Sequence, residues 1–245
     1  MNKVAKITVI FWLMKIIATT LGETMGDFFS MTLNMGYGLS LVMTALVFLI
    51  FLTFQLLGKR YVPVIYWFVI ISTTTLGTEI SDFIDRSLHL GYTSGSLLLL
   101  SCLLITLMTW NRKFKTLEVF PISDPNKEIF YWMAILFSNS LGTAFGDYLA
   151  DVIGLSYLEG AFITSVIILF VVALHEWTKI NHILLFWLAF IFTRPFGATF
   201  GDFLTKTPEQ GGLNFGTLTS SLVCLVLMTL LIIYSHRRLA RQSAT

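Results

Sequence analysis

Charge is what this chain has little of. Of its 245 residues only 12% are Asp, Glu, Lys or Arg, about half the share of an ordinary soluble domain. With 56% hydrophobic residues and a mean hydropathy of +0.79, that shortage excludes a water-solvated globular fold and points to lipid as the solvent. A net charge of +2 excludes nucleic acid as an electrostatic partner. Cysteine is also scarce. Cys102 and Cys224 both sit in apolar runs, away from any CxxC or histidine cluster, which excludes a disulfide framework or zinc site and reads as packed thiols. No nucleophile elbow, HExxH or phosphate loop is present, so no enzyme is expected. His89, His175, His182 and His236 read as solvated or interfacial side chains. Apolar runs are continuous rather than alternating, which argues against a β-barrel.

What is present is a repeat. A Trp is followed ten residues later by Gly, and that Gly five residues later by Asp, four times: Trp12, Gly22, Asp27; Trp67, Gly77, Asp82; Trp132, Gly142, Asp147; Trp187, Gly197, Asp202. The intervals of 55, 65 and 55 residues between the tryptophans predict two halves, each a pair of repeats. Each repeat holds two apolar stretches of bilayer length, and lipid requires them to be helices. The eight spans are placed near 6–30, 38–57, 63–85, 94–110, 129–151, 159–176, 183–204 and 215–235. The fold class expected is an all-α polytopic membrane protein, a single membrane domain. Its repeats cover about 6–57, 63–110, 128–176 and 183–235, with a polar connector over about 111–127. The N-terminal stretch lacks a small-residue cleavage pattern and reads as an uncleaved first span.

Positive charge predicts orientation. With the N-terminus inside, twelve Lys and Arg residues fall on the cytoplasmic side, Arg238 and Arg241 among them, against only Arg86 and Lys206 outside. Both termini are expected in the cytoplasm of a bacterial cell, the tryptophans as a belt at the near interface, and the aspartates toward the far one. Two-span units keep their orientation, so the repeats are parallel copies about an axis along the membrane normal. The polar motif lies on odd spans only, which predicts four inner odd helices and four outer even ones.

The motif cores read LGETMGDFF, LGTEISDFI, LGTAFGDYL and FGATFGDFL. Gly22, Gly26, Gly77, Gly142, Gly146, Gly197 and Gly201 are small residues suited to close helix contact. An aspartate within a span costs about 2.5–3.5 kcal/mol at its centre, and near a helix C-terminus the macrodipole adds to that cost. Either each Asp meets a cation, donor or proton, or the helix breaks at Gly and Asp caps a short helical piece beyond the break. Further polar residues favour the first. Glu23 and Glu79 share helix faces with Asp27 and Asp82. Asp85 and Asp151 extend the acidic face one turn outward, and Thr19, Thr20, Thr74, Thr75, Asn139 and Ser140 lie just inward. Arg194, followed by Pro195, takes the matching place in repeat four, with Glu23 or Glu79 as its expected partner. Lys15 is a second internal cation able to snorkel. Oxygen ligands without His or Cys favour a hard cation.

The aromatic-Trp starts (FW at 11–12 and 186–187, YW at 66–67 and 131–132) and the LGxxxGD core resemble a bacterial family of membrane proteins of unknown function. That family is built from a two-helix repeat, usually in four tandem copies. The resemblance implies the architecture and no settled activity. Repeat two departs from the pattern at Ser81, and repeat four at Arg194-Pro195. Glu23 to Asp27 is also similar in chemistry to the Glu-x-Gly-Asp motif of small manganese and calcium transporters, differing by one residue in spacing.

The function expected is a secondary transporter of a hard cation, proton-coupled, with Glu23, Asp27, Glu79, Asp82, Asp147, Asp202 and Arg194 as its site. Glu23, Asp27, Glu79 and Asp82 are the expected metal ligands. A divalent ion (Mn²⁺, Mg²⁺ or Ca²⁺) is expected as substrate, with no resident cofactor. Expected partners are the bilayer and a small cation or proton, and a homo-oligomer stays open. The alternatives are a cation channel with an outer Asp ring, and a non-transporting assembly or accessory protein.

Overall fold

The structure is a computed structural model that describes residues 2–242, with side chains through 237. The side chains of Arg238 and Arg241 lie outside the described residues. Among the described residues the chain forms eight long helices and no strand: α1 (Val9–Asp27), α2 (Gly36–Leu57), α3 (Pro63–Asp82), α4 (Gly91–Phe114), α5 (Pro125–Asp147), α6 (Tyr157–Trp177), α7 (His182–Thr205) and α8 (Thr217–Gln242). Each is long and apolar enough to cross a membrane.

Local chemistry sets the helix starts. Thr8 accepts from the Phe11 N–H, Pro63 and Pro125 occupy first-turn positions, and Ser156 with Glu159 forms a capping box. The connector is therefore shorter than its polar composition implied. Asn111 to Phe114 continue α4. Asp124 accepts from the backbone N–H groups of Asn126 and Lys127, so Pro125 opens α5 rather than marking loop. Beyond their aspartates, α1, α3 and α5 each run on into a single π-helical turn (Phe28–Thr32, Phe83–Ser87, Tyr148–Val152). Helix α7 continues as α-helix to Thr205.

The odd helices bury 61–78% of their apolar windows and the even ones 22–28%, which puts the odd helices inside. They form a closed ring: α1 packs on α3 and α7, and α5 packs on the same two. The even helices form the shell in a shifted register, with α2 on α3, α4 on α5, α6 on α7, and α8 back on α1. Each repeat thus lends its second helix to the next repeat, and the last closes onto the first. No repeat covers its own face, so the fold is stable only as a whole. Leu46, Phe54, Ile105, Phe162, Leu169 and Leu230 stay exposed on the shell, as lipid contact would require.

Glycine permits the ring. A Cβ on Gly22 would run into Thr74 of α3, one on Gly77 would sit 3.0 Å from Asn139 of α5, one on Gly142 would meet Arg194 of α7, and one on Gly197 would meet Thr19 of α1. The same contact recurs at all four interfaces, as small residues allow without a hydrophobic drive. Hydroxyls reinforce it: Thr74 Oγ1 donates to the Ala18 carbonyl at 2.9 Å and Thr19 Oγ1 to the Thr193 carbonyl at 3.2 Å.

The tryptophans do not form a surface belt. Trp67, Trp132 and Trp187 are buried in the core, packed in tilted and edge-to-face contacts among Phe11, Tyr66, Tyr131 and Phe186, and Trp12 is half-buried. Aromatic area is better hidden inside a ring of this diameter than at its edge.

Candidate functional site

Counting from the first motif glycine, inward-facing positions fall three or four residues apart along all four odd helices, forming layers. Beyond the Trp layer lies Lys15 with Ile70, Ile135 and Phe190. Next come Thr19, Thr74, Asn139 and Arg194, then Glu23, Thr78, Thr143 and Ala198. The four aspartates form the next layer. Last come Met31, Arg86, Asp151 and Lys206, each four residues after an Asp.

Lys15 does not snorkel. It is fully buried, donating to Asn139 Oδ1 at 2.8 Å with its ammonium 4.1 Å over the Phe190 ring. Asn139 passes the network on to Thr73 Oγ1 at 3.1 Å. Arg194, also fully buried, donates to Glu23 Oε2 at 2.9 Å, to Thr78 Oγ1 at 2.5 Å and to the Thr19 carbonyl at 3.3 Å. Its partner is therefore Glu23, not Glu79. Glu79 turns away to α2, where Ser40 Oγ donates to it.

All four aspartates are buried. They do not cap: Asp27, Asp82 and Asp147 keep right-handed helical backbone angles where their helices pass into the π-helical turn and make no side-chain cap bond, and Asp202 lies within α7. Two cations bridge them in pairs. Arg86 lies 3.3 Å from Asp82 and 3.4 Å from Asp147; Lys206 lies 2.5 Å from Asp27 and 3.2 Å from Asp202. Arg86 also donates to the Tyr37 hydroxyl at 2.9 Å. Burial alone would lower the Lys206 ammonium, but Asp202 and Asp27 hold it above the usual lysine range.

The expected metal set of Glu23, Asp27, Glu79 and Asp82 is not what the ring gathers. Glu23, Asp147 and Asp202 are the buried carboxylates whose oxygens lie within 4.8 Å of one another. Sequence proximity favoured repeats one and two, whereas ring closure brings α1, α5 and α7 to a common axis. Oxygens around one ion, each 2.0–2.6 Å from it, lie at most about 5 Å apart, so the group fits a hard cation. A cavity of about 360 Å³ opens at this end, bounded by Asp147, Asp202 and the last layer of Met31, Arg86, Asp151 and Lys206. Asp202 Oδ1 is buried there without a hydrogen-bond donor in good geometry. Asp151 reaches this mouth, but Asp85 does not: its carboxylate turns to α4, into the space left by Gly95, near Ser81.

The polar residues inward of the glycines, Thr20 included, are all buried. Thr19, Thr74, Thr75 and Ser140 donate to helix carbonyls and Asn139 joins the Lys15 network, so they serve as interhelix and intrahelix ties rather than an open path. Sequence reasoning missed the bridging by Arg86 and Lys206, although their place four residues after an Asp was the available signal. It also missed the buried Lys3–Glu128 pair, completed by Gln55 donating to Glu128 Oε1 at 2.8 Å.

The repeat described as Repeat of Unknown Function (DUF347) matches residues 10–61, 65–116, 130–181 and 185–239, and the chain belongs to that family. Each match spans one odd helix and the even helix after it. No curated protein and no solved structure matches the chain.

Proposed function

We propose that this is a multi-pass protein of a bacterial cytoplasmic membrane, with both termini in the cytoplasm, that moves a hard divalent cation across the bilayer. The observation that carries the reading is the convergence of buried carboxylates from α1, α5 and α7 (Glu23, Asp147 and Asp202) within 4.8 Å, with Asp147 and Asp202 lining a cavity of about 360 Å³. Charge balance supports it. Five buried carboxylates face the axis here (Glu23, Asp27, Asp82, Asp147 and Asp202), against the three cations that contact them, Arg194, Arg86 and Lys206; Asp151 is exposed at the mouth and Lys15 is held by Asn139 further in. The excess of two negative charges is what one divalent cation, or two protons, would neutralise, and exchange of the two gives proton coupling. Burial makes uncompensated charge costly, so the site binds one or the other.

The repeats pair as two halves, α1 with α3 and α5 with α7, which rock to open the site to each side in turn. Arg194 of α7 is fully buried and reaches across the ring to Glu23 of α1 and Thr78 of α3, and an enclosed cation on the axis favours a transporter over a channel. Purified protein in vesicles loaded with a Mn²⁺-quenched dye tests this. Wild type is expected to quench. Glu23→Gln, Asp147→Asn and Asp202→Asn are expected to lose uptake while keeping a cooperative unfolding transition. Normal uptake in all three would remove the site from the mechanism, and unitary currents in planar bilayers would replace the transporter with a pore.

A further inference from the structure

The layer beyond the aspartates breaks the repeat in a patterned way. Its four equivalent positions hold Met31, Arg86, Asp151 and Lys206, so the two cations follow directly after alternate helices of the ring, α3 and α7. Each binds the aspartate one turn back on its own helix and the aspartate of the next helix. These second contacts, Arg86 to Asp147 and Lys206 to Asp27, both join repeats one and two to repeats three and four. Both cations are also accessible, with 29% of the Arg86 and 20% of the Lys206 side chain exposed at the cavity, whereas Arg194 is fully enclosed.

Lys206 is held there by its loop. Beyond α7 the chain folds back, with the Leu213, Asn214 and Phe215 N–H groups donating to the Phe203, Lys206 and Leu204 carbonyls at 2.7, 2.9 and 2.9 Å. A side chain on Gly212 would collide with the Lys206 backbone. An ammonium on a braced tether, touching two carboxylates yet open to solvent, is placed as a dissolved cation would be.

We propose that Lys206 and Arg86 are tethered cations that occupy the aspartate layer when no cargo is bound, and that an arriving divalent cation enters by displacing Lys206 from Asp202 and Asp27. This rests on the proposed cation site and adds its regulation. Cargo and tether both claim the Asp202 carboxylate, so binding releases the Lys206–Asp27 contact between the two halves at the end where cargo enters. An incoming ion that displaces one positive charge gains less than it would at a bare site, and the tether sets a threshold of charge density for entry.

The experiment is Mn²⁺ binding to the purified full-length chain by calorimetry, with Mg²⁺ and Ca²⁺ as parallel probes. The variants are Lys206→Met and Lys206→Arg; methionine is the residue repeat one already carries at this position. Lys206→Met is expected to bind Mn²⁺ at least about tenfold more tightly, and Lys206→Arg to resemble wild type. On wild-type protein, labelling of Lys206 by an amine-reactive reagent, read by mass spectrometry, is expected to rise at saturating Mn²⁺ while Lys179 labelling stays constant. Wild-type binding with no gain in Lys206→Met, or with Lys206 labelling unchanged or reduced, overturns the tether and leaves the cation site standing. Absence of binding of any of the three ions to every form overturns both. Should Lys206→Met fail to fold, the labelling result decides.

Discussion

Trp67, Trp132 and Trp187 lie buried at one end of the ring, packed edge to face with Tyr66, Tyr131 and Phe186. Asp82, Asp147 and Asp202 are as deeply buried at the other end, yet they are joined only through Arg86 and Lys206. Both ends descend from the same repeat. Aromatic rings attract one another, so four copies of a Trp can share a layer and the repeats can stay alike there. Like charges repel, so four copies of an Asp cannot share a layer unless neighbouring positions diverge to supply the opposite sign. Departures from the repeat therefore concentrate next to the acids, at Glu23, Arg194, Arg86 and Lys206. They are the residues that give the ring a chemistry its repeat lacks.

The contrast breaks most visibly at Arg194. Arg194→Met leaves Glu23 buried without its partner and is expected to cost about 3–5 kcal/mol of stability, read as a lowered unfolding midpoint in detergent. Adding Glu23→Gln should recover a large part of that loss. A single variant as stable as wild type would mean the pair does not hold the acid end together.

A smaller effect is expected in the ring's packing, which both ends share. Gly142→Ala pushes a methyl into Arg194 and Pro195, and is expected to cost about 1–3 kcal/mol. Gly38→Ala on α2, whose nearest neighbour would be Phe83 at 3.9 Å, should change stability by no more than about 0.5 kcal/mol. Equal effects at the two sites would show that close approach of the odd helices is not what glycine provides.

The mildest test lies at the Trp end. The Tyr66 and Tyr131 hydroxyls are 2.5 Å apart and buried, so Tyr66→Phe strands one of them at a cost of about 1 kcal/mol. Mn²⁺ binding should be untouched, since the change lies layers away from the carboxylates. Altered binding would mean the two ends are coupled more tightly than their separate chemistries imply.

Much of this was legible in the sequence. Eight spans, four repeats, inner odd helices and buried motif acids all derive from periodicity and from the cost of charge in lipid. The Arg194–Glu23 pair was in view as one of two options. The metal set was drawn from acids close in sequence, and only ring closure substitutes Asp147 and Asp202 for Asp27, Glu79 and Asp82. Glu79 and Asp85 carry the same formal charge as their neighbours, but each stands one residue from an inward position, Thr78 or Arg86, and one residue along a helix turns a side chain about 100° away, toward α2 or α4. Composition cannot register that rotation.

The sequence by itself determined how many helices are long and apolar enough to cross a lipid-thick layer and which of them carry acid, because hydrophobic period and burial cost are local and repeat with the motif. The tertiary structure alone decided which acids meet, which cations answer them, and that each repeat's second helix covers its successor. Those outcomes depend on the order in which four helices close around one axis, and pairing across a closed ring leaves no trace in the spacing of residues along the chain.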